Sequence, residues 1–138
     1  MAPINYAAIA AAAIAGWVIG AGWYGVLGNQ WLAALGWTKA DVCGPDGKQT
    51  MPMGPMVLSV IANLIMALML AGIVGHVVPR PTIMAGVVSG ALAWFGFVVT
   101  TMTVNNAFAK RRLALTLIDG GHWLAVLVVQ GVVLGLLG

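Results

Sequence analysis

Four long apolar stretches limit what this chain can fold into. They cover about residues 4–27, 55–78, 83–109 and 113–137. Together they contain one formally charged side chain, Asp119. About 20 apolar residues in a helix cross the ~30 Å hydrocarbon core of a bilayer, so each stretch is long enough to span it. Only 7% of the residues are charged, against roughly 25% in a typical soluble domain. The sequence therefore predicts an all-α, polytopic membrane protein, in which all 138 residues form one integral membrane domain with four transmembrane helices in a bundle.

The polar segment between the first two stretches, residues 28–54, holds four of the nine charged side chains. Within it, "NQWLAALGW" places Trp31, Ala34 and Leu35 on one side of a helix. Tryptophan is enriched at membrane–water interfaces, and Trp37 follows one turn or two later. We therefore predict a short interfacial helix after the first span, followed by a polar loop.

The distribution of lysine and arginine predicts the orientation of the chain. Segment 28–54 carries two lysines and the turn 110–112 carries three basic residues, whereas only Arg80 lies on the opposite side. Because Lys and Arg concentrate in cytoplasmic loops, we expect loops 28–54 and 110–112 in the cytoplasm and both termini outside. Three adjacent basic residues between apolar stretches indicate topology rather than a nucleic-acid surface. We expect the lipid bilayer to be the partner of this chain, and we expect no nucleic-acid partner.

Small residues recur four positions apart on all four predicted spans, on the second as Ala67, Ala71 and Gly75. The other three spans carry the predicted packing residues. They are Ala8, Ala12, Gly16 and Gly20 on the first span, Gly86 and Gly90 on the third, and Gly131 and Gly135 on the fourth. Such a GxxxG-like spacing lets helix backbones approach closely in lipid, so we predict helix packing there. The spacing leaves open whether the partner helix belongs to the same chain or to another copy. Four short helices offer little room for a private pore, and we expect a homo-oligomer.

Polar side chains also recur on the predicted spans, and they define a candidate polar site. Its members are Asn63 on the second span, Thr100 and Thr103 on the third, and Asp119 and His122 on the fourth. On an ideal helix, Gln130 shares the face of Asp119 and His122, and the two threonines continue a stripe that begins at Ser89. Since polar side chains in lipid-embedded helices turn toward the interior, we predict a polar-lined bundle interior.

Asp119 has three interpretations. A central Asp costs about 2.5–3.5 kcal/mol of insertion free energy, and each Leu, Ile or Val returns about 0.3–0.6 kcal/mol. The fourteen such aliphatic residues of the fourth span tolerate one acid. Asp119 then either caps a helix that begins at Gly120, or forms a buried hydrogen bond to Asn63, a threonine or a basic residue, or binds a proton or a ligand.

The remaining reactive side chains do not complete a metal or cofactor site. His122 lies one turn from Asp119 and could relay a proton, but a metal site needs a third ligand and usually a fourth. His76 differs from His122 in depth by about 18 Å. The single cysteine, Cys43, has no second thiol. We expect no metal, no cofactor and no catalytic residue, although ligation of one haem or chlorophyll by a single histidine stays open.

Two stretches resemble a known family. They are "INYAAIAAAAIAGWVIGAGWYGVLGNQWLAALGWTKADV" and "GFVVTTMTVNNAFAKRRLALTLIDGGHWLAVLVVQG". The most specific matching residues are Trp23-Tyr24, Trp31, Asn105 or Asn106 with Phe108 and Arg111, and Asp119-Gly120-Gly121 before Trp123. In these the chain resembles the bacterial membrane family catalogued as domain of unknown function 1761.

The resemblance implies a four-helix protein of the bacterial plasma membrane and implies no activity. The chain departs from the family pattern at two places. Gly25-Val26 replaces the Ser-Pro expected after Tyr24, and His122 stands where an aromatic residue such as Tyr is usual. The second departure counts against a family-wide mechanism built on His122.

Three classes of function stay open. The leading one is a non-enzymatic small-molecule, proton-coupled or lipid-binding membrane module, of which a minimal transporter is one form. The alternative is an accessory subunit that packs onto a larger membrane complex, in which case Asp119 is a cap. An intramembrane enzyme is the third, and it requires reactive groups to converge within hydrogen-bonding distance.

Overall fold

The computed structural model describes residues 3–50 and 52–138, and its long elements are all helices. They are α1 (Tyr6–Leu35), a short 3-10 turn (Lys39–Asp41), α2 (Met53–Val77), α3 (Ile83–Ala93), a π-helical turn (Trp94–Val98), α4 (Val99–Phe108) and α5 (Leu113–Leu137). The segments α3, π turn and α4 form one continuous helix of 26 residues, so four helices are long and apolar enough to cross a membrane. The predicted fold class of an all-α bundle with four membrane helices is confirmed.

Helix α1 is longer than predicted. It runs unbroken for 30 residues, about 45 Å at 1.5 Å per residue. The segment predicted as a separate interfacial helix is therefore the end of α1, and that part of the prediction is wrong. No proline interrupts residues 28–35, and a single glycine such as Gly28 costs a helix only about 1 kcal/mol. The helix ends at Gly36, whose φ of 74° is the left-handed conformation that glycine adopts readily.

Short turns make neighbouring helices antiparallel. Between α2 and α3, Pro79 and Pro81 prevent the helix from continuing, and the Thr82 hydroxyl accepts a hydrogen bond from the Ala85 backbone at 3.1 Å to begin α3. Between α4 and α5, Lys110 takes a positive φ of 56°. One end of the bundle thus carries residues 36–50 and the turn 109–112, with five of the six basic residues. We call this end the basic side.

Helix α5 lies at the centre of the bundle. It packs against α1, α2, the π turn and both α3 and α4. Of the 18 most apolar consecutive residues of α5, 39% are buried, against 17–22% for the corresponding segments of the other three membrane helices. Helices α1 and α5 are antiparallel and joined at both ends. Asn5 donates to the Leu137 carbonyl at 2.8 Å, and Arg112 donates to the Ala33 carbonyl at 2.6 Å. Side chains of α5 therefore face three neighbours at once.

The recurring small residues lie at helix contacts within this chain. Gly86 and Gly131 bring the backbones of α3 and α5 into direct contact. At Gly90, an added Cβ would lie 2.7 Å from the Leu127 carbonyl oxygen. On α1, Ala8 and Ala12 are buried. Because these surfaces already have partners in the same chain, they give no reason to expect a second copy.

Candidate functional site

Asp119 lies in the second turn of α5. The helix begins at Leu113 with Arg112 as its N-cap residue, so Asp119 is six residues further, or about 9 Å along the axis. The first interpretation, in which Asp119 caps a helix starting at Gly120, is therefore wrong. The helix continues through Gly120 and Gly121. Gly120 is buried, and the Trp23 ring covers Gly121.

The partner of Asp119 is a tyrosine of α1. The Tyr24 hydroxyl donates to Asp119 Oδ1 at 2.5 Å. The Trp31 ring lies beside Tyr24, with ring centroids 5.9 Å apart. The sequence-based prediction named Asn63, a threonine or a basic residue as the partner, and the structure places none of these there. Within residues 3–50 and 52–138, the group that hydrogen-bonds to this carboxyl is the neutral Tyr24 hydroxyl.

Two indoles hold the turn that carries Asp119. Trp23 of α1 donates to the Ile118 carbonyl at 3.0 Å. Trp94, the first residue of the π turn, donates to the Gly120 carbonyl at 2.7 Å. A Cβ at Gly121 would lie 2.8 Å from the Trp23 ring, so glycine is needed for this contact. The backbone around Asp119 is thus fixed from two sides.

His122 is buried among aromatic rings. Only 6% of its surface is exposed. Its ring centroid lies 4.9 Å from that of Tyr24 and 4.4 Å from that of Trp123. Gly20 of α1 provides the space, since a Cβ there would lie 2.7 Å from His122 Nε2. His122 Nδ1 is buried and has no hydrogen-bond partner in the described part of the chain. We call Tyr24, Trp31, Asp119 and His122 the carboxylate site.

A second polar group lies deeper in the bundle. Gln130 is fully buried and donates from Nε2 to the Asn63 carbonyl at 3.1 Å and to Asn63 Oδ1 at 3.3 Å. Asn63 in turn donates to the Ser59 carbonyl at 2.9 Å, and Trp17 of α1 donates to the Ser59 hydroxyl at 3.0 Å. A Cβ at Gly16 would lie 2.5 Å from Asn63 Oδ1. We call Ser59, Asn63 and Gln130 the amide layer.

Asn63 therefore does not lie beside Asp119, contrary to the prediction. Gln130, its partner, is eleven residues beyond Asp119 on α5, which corresponds to about 16 Å. Counted from the helix starts, Asn63 is ten residues into α2 and Asp119 is six residues into α5, a difference of only about 6 Å. The rest of the separation arises because α2 is displaced along α5, since Asn63 lies level with Gln130, which is seventeen residues into α5. The sequence does not encode this displacement.

The two predicted threonines face outward. Thr100 and Thr103 are exposed, and each hydroxyl donates within its own helix, to Gly96 at 2.9 Å and to Val99 at 2.5 Å. Their predicted place in a polar interior is wrong. The stripe begins inside, where Ser89 is buried, but the π turn intervenes. A π turn adds one residue to a helical turn, which rotates every later side chain by roughly 100°.

The carboxylate site combines a carboxyl group, a phenol and an imidazole with the indole ring of Trp31. Trp31 lies edge-on to Tyr24 with centroids 5.9 Å apart, and Trp37 lies edge-on to Trp31 at 6.0 Å. In the described ranges, no three His, Cys, Asp or Glu side chains are grouped to hold a metal ion. The Ser59 hydroxyl binds the Met56 carbonyl and lies in the amide layer rather than beside His122. The chemistry available at Asp119 is proton exchange and charge-based binding.

Sequence reasoning missed three contributors to these sites. Trp94 and Gln130 were not expected to bond across helices, and Tyr24 was named only among the residues that resemble the family. The signal for Tyr24 was its place in the Trp23-Tyr24 pair, four residues beyond the glycine that accommodates His122.

Comparison with known proteins gives one family match. Residues 7–135 match the sequence model of a family described as "Protein of unknown function (DUF1761)". No curated protein and no solved structure matches the chain.

Proposed function

The chain belongs to the DUF1761 family, a family of unknown function, and on its own geometry we propose that it is a non-enzymatic membrane module that binds a proton and a small-molecule ligand at Asp119. The proposal takes the single chain as the binding unit, because Tyr24, Trp31 and Asp119 all come from one copy.

One observation carries this proposal: Asp119 is half-buried inside a membrane helix, and its hydrogen-bond donor within the described residues is the neutral Tyr24 hydroxyl. A carboxylate that serves only to hold helices together is usually paired with a cation or fully hydrogen-bonded. Here the carboxyl group retains acceptor capacity, since a carboxylate offers about four lone-pair sites. An acid with free acceptor sites and partial exposure suits reversible binding.

The two other classes of function have less support. The accessory-subunit alternative depended on Asp119 as a cap and on free glycine surfaces, but α5 begins at Leu113 and the glycines contact helices of the same chain. An enzyme needs a nucleophile or a substrate-activating group within reach of the base. The Ser59 hydroxyl is engaged in the amide layer, away from His122.

Modification with dicyclohexylcarbodiimide tests the proposal. This apolar reagent enters membranes, where carboxyl groups in their protonated form react with it. We expect Asp119 to be modified in the folded, lipid-embedded protein, at a rate that falls as the pH rises, because only the protonated form reacts. Peptide mass spectrometry measures the modified fraction at Asp119, and the exposed loop residues Asp41 and Asp46 serve as internal references.

Two controls make the result decisive. Asp119→Asn removes the reactive group and should abolish the label at this position. Heat-unfolded protein shows that the peptide can be modified and detected. If the unfolded chain is labelled at Asp119 while the folded chain is unlabelled over the whole pH range, Asp119 is a sealed structural residue and the proposal is wrong.

A further inference from the structure

A groove lies between α2 and the continuous helix formed by α3, the π turn and α4. We propose that this groove binds one acyl chain of an anionic phospholipid, whose phosphate lies at Lys110 and Arg111. The inference is independent of the proposed function, because it uses neither Asp119 nor its partner Tyr24.

The groove exists because its two helices diverge. Residues 78–82 join them at the end opposite the basic side, and α2 packs against α3. Helix α2 makes no comparable contact with α4, so the two helices separate toward the basic side. The space between them has a volume of about 510 Å³, and the residues that line it include Met66, Phe97, Thr101, Met102, Asn105 and Trp123. The groove is therefore open to the bilayer between α2 and α4.

The lining changes from apolar to polar along the groove. Met66, Phe97 and Trp123 lie near the middle of their membrane helices, whereas Asn105 and Asn106 lie near the basic side. From Phe97 to Asn106 the helix rises about 14 Å, which is close to half of the ~30 Å hydrocarbon core of a bilayer. The Phe97 side chain is 76% exposed, so the described part of the chain leaves the deep end uncovered. An acyl chain from one leaflet matches both the length and the polarity of the groove.

Basic side chains lie at the polar end of the groove. The Arg111 backbone N–H donates to the Asn106 carbonyl at 2.9 Å, which holds the basic turn at this end. The side chains of Lys110 and Arg111 are exposed. Arg112 instead donates to the Ala33 carbonyl of α1 at 2.6 Å, which leaves Lys110 and Arg111 for a ligand. Basic residues at the ends of membrane helices attract the headgroups of anionic lipids.

The acidic residues on the same side are bonded within their own loop. Asp41 accepts a hydrogen bond from the Thr38 backbone at 2.7 Å, and Asp46 accepts one from the Lys48 backbone at 3.1 Å. A zwitterionic headgroup would bring an ammonium group toward the two cations of the basic turn, whereas phosphatidylglycerol brings only negative charge. The polar end of the groove therefore favours an anionic headgroup.

Competition between two lipids tests the proposal. Dioleoylphosphatidylglycerol and dioleoylphosphatidylcholine have the same acyl chains and differ in the charge of the headgroup. The purified full chain is mixed with equal amounts of both lipids in a mild detergent, and native mass spectrometry counts the lipid molecules that stay bound. We expect one phosphatidylglycerol molecule per chain, bound at least about tenfold more tightly than phosphatidylcholine, because two basic residues attract its phosphate.

Two double variants test the headgroup contact. Lys110→Gln combined with Arg111→Gln should reduce the preference for phosphatidylglycerol to less than about twofold. Lys39→Gln combined with Lys48→Gln is the matched control, since it removes the same charge from the same side but away from the groove lining. The control should keep the preference. An equal loss in both double variants would show that net charge attracts the lipid, and it would overturn the proposal.

Thr101→Phe tests whether the acyl chain lies in the groove. Thr101 is exposed and lines the groove, so the larger ring fills that space without disturbing the core. We expect binding of phosphatidylglycerol to weaken at least about fivefold, because displaced methylene groups lose apolar contact. Thr103→Phe is the control, since Thr103 is an exposed threonine of the same helix outside the groove lining. It should bind the lipid as the unaltered chain does.

Two further results would overturn the inference. Equal binding of the two lipids by the unaltered chain, or no bound lipid, would rule out recognition of an anionic phospholipid. A preference that persists in Thr101→Phe at full strength would place the lipid on the basic turn alone and not in the groove. A circular dichroism spectrum that matches that of the unaltered chain shows that each variant is folded. None of these outcomes bears on the carbodiimide labelling of Asp119.

Discussion

The carboxylate site and the amide layer each contain a polar residue of α5, but these two residues differ in burial and in hydrogen-bond partners. Both put polar side chains of α5 against α1, and both use a glycine of α1 to make room. In the amide layer, Gln130 is fully buried and bonded to Asn63. In the carboxylate site, Asp119 is half-buried and bonded to Tyr24, whose ring packs against Trp31, which in turn packs against Trp37. Two polar residues of one helix thus differ in their burial and in the kind of side chain that they contact.

This comparison also reinterprets the small residues of α1. Ala8 and Ala12 pack against apolar neighbours in the core, but Gly16 faces the amide layer and Gly20 faces His122. One four-residue repeat therefore serves two purposes. In its first half it brings helices together, and in its second half it accommodates polar side chains from other helices.

Gly16→Ala should have the largest effect on stability. The new Cβ would lie 2.5 Å from Asn63 Oδ1 and 2.8 Å from Gln130 Nε2, so it disrupts a buried hydrogen bond as well as packing. Overpacking costs about 1–3 kcal/mol and a lost buried hydrogen bond adds to this. We expect the free energy of unfolding, measured by titration with sodium dodecyl sulfate, to fall by about 2–4 kcal/mol.

Gly25→Ala is the matched control for that variant. Gly25 also lies in α1, and an added Cβ there meets nothing within 4 Å. Alanine is a better helix former than glycine by about 1 kcal/mol, so this change should leave stability unchanged or raise it. Equal destabilisation by both variants would show that the amide layer does not depend on close contact with α1.

Replacing Gln130 and Asp119 of α5 one at a time should separate an effect on the free energy of unfolding from an effect on carbodiimide labelling. Gln130→Met keeps the length of the side chain but removes the donor to Asn63. Hydrogen bonds between membrane helices contribute about 0.6–1.7 kcal/mol, so we expect a loss of about 1–2 kcal/mol in unfolding free energy and unchanged carbodiimide labelling of Asp119.

Asp119→Asn should behave in the opposite way. Asparagine can still accept the Tyr24 hydrogen bond, and it removes a charge that is costly in lipid. Stability should change by less than about 1 kcal/mol, while labelling at position 119 disappears. A loss of stability as large as that of Gln130→Met would place Asp119 with the structural residues.

The sequence predicted three of the four long helices closely, because hydrophobic length is a local property, whereas the first helix continues eight residues beyond its predicted end at residue 27. Predicted boundaries of 55–78 and 113–137 compare with Met53–Val77 and Leu113–Leu137 in the structure. Two features escaped prediction for physical reasons. The π turn begins at Trp94, whose indole bonds to a different helix, and it rotates Thr100 and Thr103 outward. The Tyr24–Asp119 bond depends on how α1 and α5 align, which no spacing within one helix encodes.

Gly20→Ala tests the space around His122. The added Cβ would lie 2.7 Å from His122 Nε2, at the far end of a side chain that can rotate partly away. We therefore expect a smaller loss than for Gly16→Ala, about 1 kcal/mol in unfolding free energy. Because His122 contacts Tyr24, tryptophan and tyrosine fluorescence should change as well. An unchanged spectrum together with unchanged stability would contradict the close contact between α1 and His122.

Tyr24→Phe should produce the smallest change in stability and the clearest change at the carboxylate site. The variant removes one hydroxyl and leaves the ring contacts with Trp31 and His122 in place. A hydrogen bond to a half-buried group contributes about 1 kcal/mol or less here. The bond from Tyr24 stabilises the carboxylate against protonation, so its removal should increase the protonated fraction of Asp119 and raise the carbodiimide labelling rate at neutral pH about threefold. Tyr6→Phe is the control, since Tyr6 is 72% exposed and lies at the other end of α1, and it should change neither quantity. An unchanged labelling rate in Tyr24→Phe would show that the Tyr24 hydroxyl does not affect the protonated fraction of Asp119. The carboxylate site and the amide layer would then differ only in burial.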